Sequence, residues 1–119
     1  MIHRAVEALK QDERKALANF NSGSDGFKEK DLYVFCWDLR TGLNAANLNQ
    51  PSLVGKAKIE ERKDADGREY GKAFLAAAKE GSLNEVIYRF PRPGESVAVE
   101  KSSFVTRVGQ LLCGVGYYR

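Results

Sequence analysis

Three segments near the end of the chain, residues 84–90, 97–105 and 110–118, alternate apolar and polar side chains and are separated by short turns. Period-two alternation puts successive side chains on opposite faces of a strand, and connections this short join antiparallel neighbours. The pattern therefore predicts a three-strand meander. Val86, Tyr88 and Phe90 share one face of its first strand, and Leu111, Cys113, Val115 and Tyr117 share one face of its last. Arg92-Pro93-Gly94 supplies the first turn.

Upstream, Leu32-Tyr33-Val34-Phe35-Cys36-Trp37 is apolar throughout, as in a strand buried on both faces near the middle of a sheet. Asp38 to Gly42 reads as a turn, and residues 43–46 as a short strand pairing back. At the start of the chain Ile2, Val6, Leu9, Ala16, Leu17 and Phe20 recur at steps of three and four, which predicts one long amphipathic helix over residues 2–20. Glu13 interrupts its stripe. Residues 47–66 are irregular, with Leu53 and Val54 as inward anchors and Asp64-Ala65-Asp66-Gly67 as a tight turn. Residues 69–80 predict a helix facing inward through Tyr70, Phe74 and Leu75, with Gly81 as its stop. A five-stranded antiparallel-rich sheet with helices fits this order, an α+β domain. No linker or repeat divides residues 1–119, and a chain of 119 residues suits one domain.

The charges exclude some functions. A net charge of +3 with both signs mixed along the chain gives no basic block for nucleic acid or a membrane surface. No apolar stretch is long enough to span a bilayer, and the charged residues after Met1 do not read as a signal peptide. His3 is the only histidine, so neither a Ser-His-Asp nor a Cys-His arrangement is available. No metal cluster and no cofactor motif is present: Asp64 to Gly67 lacks the ligand spacing of a calcium loop, and Gly114-Val115-Gly116 lies in a strand rather than opening a helix. Strand glycines more often admit close approach of another group. The chain is not expected to be an enzyme. Cys36 and Cys113 each lie in an apolar run and read first as buried free thiols; a disulfide between neighbouring strands is the alternative.

Lys101 is the informative residue. By period two it shares a face with Val97, Val99, Ser103 and Val105, so a lysine and a serine point to an apolar side. A buried ammonium costs several kcal/mol unless it is paired. One reading makes Lys101 a partner for a carboxylate ligand. The others have it snorkel past the sheet edge, or pair with Glu85 or Asp38. Tyr33, Phe35 and Trp37 share one face of the first long strand, and Tyr88 and Phe90 one face of the next. They are core residues on the simplest view, and they also suit the apolar walls of a small-acid pocket.

Several segments, in this order and spacing, resemble the single Cache domain of bacterial sensors (Cache type 2). They are Gly26-Phe27 with Asp31 to Phe35, Asp38 and Gly42; Pro51 to Lys56; Asp64 to Tyr70; Tyr88 to Gly94; Lys101 to Val105; and Val115 to Tyr118. The resemblance implies a PAS-like sheet behind a long N-terminal helix, with a helical and loop region over the ligand-binding face. It implies a periplasmic or secreted module for signal transduction or chemotaxis that binds a small organic acid such as acetate, propionate, lactate or pyruvate. Lys101 matches the family motif, and the expected ligand-binding set is Lys101, Tyr88, Trp37, Phe90, Ser103, Asn47 and Tyr70. Two positions depart from the family. Ala46-Asn47 stands where a His-Pro pair is common, and Phe104 where tyrosine is common; both changes remove polar groups expected near the pocket. The competing reading is a structural or interaction domain that keeps the fold without a pocket and dimerises through its N-terminal helix.

Overall fold

The computed structural model describes residues 1–118. Two helices, α1 (Ile2–Gln11) and α2 (Glu13–Ser22), precede strands β1 (Lys28–Glu29), β2 (Leu32–Asp38) and β3 (Asn44–Ala46). An irregular segment with 3-10 turns at Pro51–Leu53 and Ile59–Glu61 leads to α3 (Tyr70–Ala77), and β4 (Asn84–Pro91), β5 (Ala98–Val108) and β6 (Leu111–Tyr118) close the chain. The sheet is six-stranded, in the order β1-β2-β6-β5-β4 with β3 also on β2, and every pairing is antiparallel. The strand beyond the expected five is the two-residue β1, which folds back on β2 through Lys30 at φ 54°.

The single N-terminal helix is instead two. Asp12 leaves the helical region at φ −158°, and its carboxylate accepts a hydrogen bond from Lys15 N at 3.1 Å. An aspartate that can cap a free N–H competes with helix continuation at its own position. Gly23, at φ 74°, ends α2. Helix α3 is shorter than expected and stops at Ala77; Leu75 is exposed rather than inward. Val97 also falls outside its strand and is largely exposed.

The sheet is covered on both faces. Ala5, Leu9, Ala16 and Phe20 of the N-terminal helices pack on Val34, Cys36, Leu111 and Cys113. On the other face Tyr33, Phe35 and Trp37 of β2 meet Val86, Tyr88 and Phe90 of β4, under Ile59, Tyr70 and Phe74. The alternation within β2 is thus split between two cores, as a strand buried on both faces requires.

Cys36 and Cys113 form a disulfide, not two free thiols. Both were expected to be buried, and both are fully so. Their pairing follows from register: they are direct partners in the β2–β6 ladder, on the helix-covered face, with Cα atoms 4.1 Å apart. Opposite neighbours in an antiparallel pair come this close only at facing positions.

Candidate functional site

The candidate site lies on the face away from the N-terminal helices, centred on Lys101. In the β4–β5–β6 ladder Lys101 stands between Tyr88 and Tyr118, and Ser103 between Val86 and Gly116. The lysine side chain runs across β6 at Gly116, where a Cβ would stand 2.7 Å from Lys101 Cε and collide with Ser103 Oγ. The neighbouring Gly114 makes room in the same way for Phe35, whose Cζ would lie 2.6 Å from an added Cβ. The two glycines are therefore close-approach positions: they let a β5 side chain and a β2 ring meet above the strand between them.

Having crossed β6, Lys101 Nζ donates to Tyr33 Oη on β2 at 3.2 Å. Five ring centroids surround it: Tyr33 at 4.6 Å, Phe90 and Tyr118 at 5.1 Å, Phe35 at 5.3 Å and Tyr88 at 5.9 Å. The residue is 1% exposed, so it does not snorkel. Nor does it use the carboxylates considered from sequence. Asp38 pairs with Arg40, and Glu85 accepts from Ser102 Oγ on the opposite face. Among the described residues no ion pair reaches Lys101. Burial alone pulls its ammonium down to about 7. The ring faces work against that pull, since an aromatic quadrupole attracts a cation.

Hydroxyl groups extend the polar line. Burial raises the Tyr33 hydroxyl to about 12, against hydrogen bonds with Tyr118 and Asn49 that pull it down. Tyr118 Oη and Asn49 Nδ2 both donate to the Pro91 carbonyl, at 2.8 and 2.7 Å. Tyr88 Oη and Ser103 Oγ share a hydrogen bond at 3.0 Å, and burial holds the Tyr88 hydroxyl well above its ordinary range. At neutral pH these tyrosines are neutral hydrogen-bonding groups.

A cavity of about 20 Å³ adjoins Nζ, enough for one water molecule. Lys101, Tyr88, Phe90, Trp37, Asn47 and Tyr70 all line it. Ser103 does not; it lies beneath Tyr88 and reaches the cavity only through that hydroxyl. Tyr33, Phe35, Leu53 and Phe74 complete the lining; the expected ligand-binding set leaves them out, although Tyr33 and Phe35 are among the rings that suit a pocket wall. Tyr33 carried a signal, since it shares a strand face with Phe35 and Trp37.

The segment over the cavity is tied down by polar groups. Asn47 Oδ1 accepts from Gln50 N, and Asn47 N donates to Asn21 Oδ1 on α2, both at 2.9 Å. Tyr70 stacks on Tyr88 at 4.6 Å, and its hydroxyl accepts from Arg62 Nε at 2.8 Å. Asp64 opens the tight turn and accepts from the N–H groups of Asp66, Arg68 and Arg89, the last on β4. Burial pushes the Asp64 carboxyl up, but those donors outweigh it and hold the group below its usual value.

Of the residues that depart from the family, Asn47 lines the cavity, whereas Ala46 and Phe104 do not. Phe104 points to the opposite face of β5 and stacks on Tyr117 at 6.2 Å. Ala46 is buried in the helix-side core. For Ala46 and Phe104 the expectation that the changes strip polar groups from the pocket is corrected by strand parity: each lies one residue out of phase with the site.

No protein-family model matches the chain, and no curated protein sequence matches it. Solved structures match over nearly the whole chain. A methyl-accepting chemotaxis protein from Vibrio parahaemolyticus RIMD 2210633 superposes with TM-score 0.78 at 20% identity, covering 98% of this chain and 82% of that one. A Cache chemosensory domain that recognises carboxylic acids gives TM-score 0.76 at 25% identity, over 95% and 80% of the two chains. The periplasmic sensor domain of a chemotaxis protein gives TM-score 0.77 at 24% identity, over 98% and 86%. The chain therefore has the PAS-like α+β fold of the Cache-type sensor domains among these structures.

Proposed function

We propose that this chain is a ligand-binding sensor module for a small monocarboxylate, with Lys101 as the carboxylate partner. One observation carries the reading: an amine 1% exposed, ringed by aromatics, with no carboxylate of the described residues paired to it. A buried cationic group without a counter-charge is costly, and an anion from outside supplies one. The Tyr33 hydroxyl is placed to donate to the same carboxylate, and Trp37, Tyr70 and Phe90 offer apolar surface to a short alkyl end. Because the cavity is about 20 Å³, an acid enters with outward movement of the segment carrying Asn47, Leu53 and Tyr70. The match to a carboxylic-acid-recognising Cache domain supports the class of ligand. The disulfide supports an oxidising, extracytoplasmic setting, in line with the periplasmic domain among the structural neighbours. The small cavity favours one competing reading, an interaction domain that keeps the Cache fold without a working pocket.

Thermal melts with millimolar acetate, propionate, lactate and pyruvate separate the two. A ligand at a hundred times its Kd stabilises by about 2.7 kcal/mol. Charge-assisted hydrogen bonds contribute roughly 1.5–3 kcal/mol, so Lys101→Met should weaken binding about tenfold to a hundredfold. A melting shift for at least one acid, lost in Lys101→Met, is the expected result. Absence of any shift favours the interaction domain.

A further inference from the structure

The surroundings of Lys101 bear on what its site binds, beyond the presence of a carboxylate. Each element packed around Nζ presents a neutral group. Strand β2 offers Tyr33 and Phe35, β4 offers Tyr88 and Phe90, β6 offers Tyr118, and α3 offers Tyr70 behind Tyr88. The charged groups nearest these elements are engaged elsewhere. Arg62 is held by the Tyr70 hydroxyl, Asp64 by three backbone N–H groups and Arg68, and Asp31 by Arg92. Among the described residues the amine is thus the one ionisable group of the site that can change charge near neutral pH, because the tyrosines are held above their ordinary range.

We infer that the site takes up a monocarboxylate together with a proton, so that the domain responds to the acid, anion plus proton, rather than to the anion alone. The inference rests on the proposed carboxylate site. Its physical basis is neutrality in a low-dielectric enclosure. When the site is empty, a deprotonated amine leaves it uncharged. When it is filled, an ammonium–carboxylate pair again leaves it uncharged. The other combinations, a lone ammonium or an amine facing a carboxylate, each bury one unpaired charge. Burial has already drawn Lys101 to about 7 in the free protein, and an adjacent carboxylate raises it again. The same reasoning excludes a second carboxylate on the ligand, which would find no second cation among the described residues that line the cavity.

The sign follows directly. Only the protonated amine binds the anion well, so apparent Kd equals intrinsic Kd divided by the protonated fraction. Kd is flat from about pH 5.5 to 6.5 and rises about tenfold per pH unit above about 7.5, reaching about a hundredfold at pH 9. Proton uptake per bound acid rises from near zero at pH 6 towards one at pH 8.5.

Calorimetric titration of the whole chain with sodium acetate, propionate, lactate and pyruvate tests this. Each is run at pH 6, 7.5 and 9, in two buffers of different ionisation heat at each pH. The expected result is a Kd that climbs with pH and a buffer-dependent heat that reports proton uptake only at the higher values. Sodium succinate should bind at least tenfold more weakly than propionate at pH 6. An acid that binds with the same Kd from pH 6 to 9 and no proton uptake overturns the inference and leaves the carboxylate site standing. If none of the four acids binds at any pH, the carboxylate site itself falls, and the inference with it.

Discussion

Gly116 and Lys101 lie on neighbouring strands, and a Cβ on Gly116 would stand 2.7 Å from Lys101 Cε. The absence of one methyl group on β6 lets a β5 lysine reach a β2 tyrosine. Gly116→Ala should therefore act twice. Its Cβ meets the Ser102 carbonyl at 2.8 Å as well as the lysine stem, so backbone must shift, at a cost of about 1–3 kcal/mol. At about 3–6 °C per kcal/mol for a chain of this size, the melting point should drop by several degrees, and the melting shift with acids should shrink. A mutant that melts and responds like the native chain would mean that Lys101 takes another path.

Lys101 also predicts how stability depends on pH without any ligand. An unfolded lysine titrates near 10.4, whereas in the fold Lys101 is drawn to about 7. Between those values the unfolded chain binds the additional proton, so native stability rises with pH, at up to about 1.4 kcal/mol per unit. Below about 7 both states are protonated, and the full cost of the buried ammonium is present. Lys101→Met removes that cost, so the mutant should be the more stable protein at pH 6, and its advantage should narrow by pH 9.5. Paired thermal melts at the two values read this out. A pH-independent gap would show ordinary lysine ionisation in the fold.

The Cys36–Cys113 bond closes a loop across a sequence separation of 77. Crosslinks over loops of this size stabilise by about 2–5 kcal/mol. The protein unfolded in guanidinium without reductant should show no titratable thiol, and two after reduction. Cys36→Ser/Cys113→Ser should unfold at lower denaturant. Two thiols before reduction would remove the bond.

Asp64 holds the segment over the cavity to the edge strand β4 through Arg89 N at 3.0 Å. Asp64→Ala strands three N–H groups at once, and a loss of about 1–3 kcal/mol is expected. Hydrogen exchange should quicken in residues 59–70 before it quickens in β5 or β6. Uniform acceleration along the chain would show that Asp64 contributes to global stability alone.

What could be read before the fold was known followed strand parity. Alternation placed Lys101 with Ser103 and Val105 and gathered the rings of β2 and β4, because period two needs no knowledge of partners. What depended on register could not be read. Gly116 matters only because it pairs with Ser103, Cys36 bonds Cys113 only because the two are opposite, and Tyr118 reaches Lys101 only across the β5–β6 ladder. Asp12 shows the opposite failure. The apolar stripe continues on both sides of it and reads as one helix, and only Glu13 stands out as an interruption. Phe104 and Ala46 were misplaced because family correspondence fixes a position in the chain and says nothing of the face it points to.

The disulfide has one more consequence. It joins β2, near the first quarter of the chain, to the final strand, and everything between lies inside the loop: β3, the irregular segment over the cavity, α3, β4 and β5. A protease that nicks any single peptide bond in that interval leaves two fragments still joined covalently. On a gel without reductant the cut protein runs as one species, and it parts in two only when the bond is reduced. The exposed turn at Asp66-Gly67 and the one at Pro93-Gly94 both lie in this stretch, so a cut at either releases no piece of the domain, whereas a cut in the exposed segment between α2 and β2, ahead of Cys36, frees the N-terminal helices.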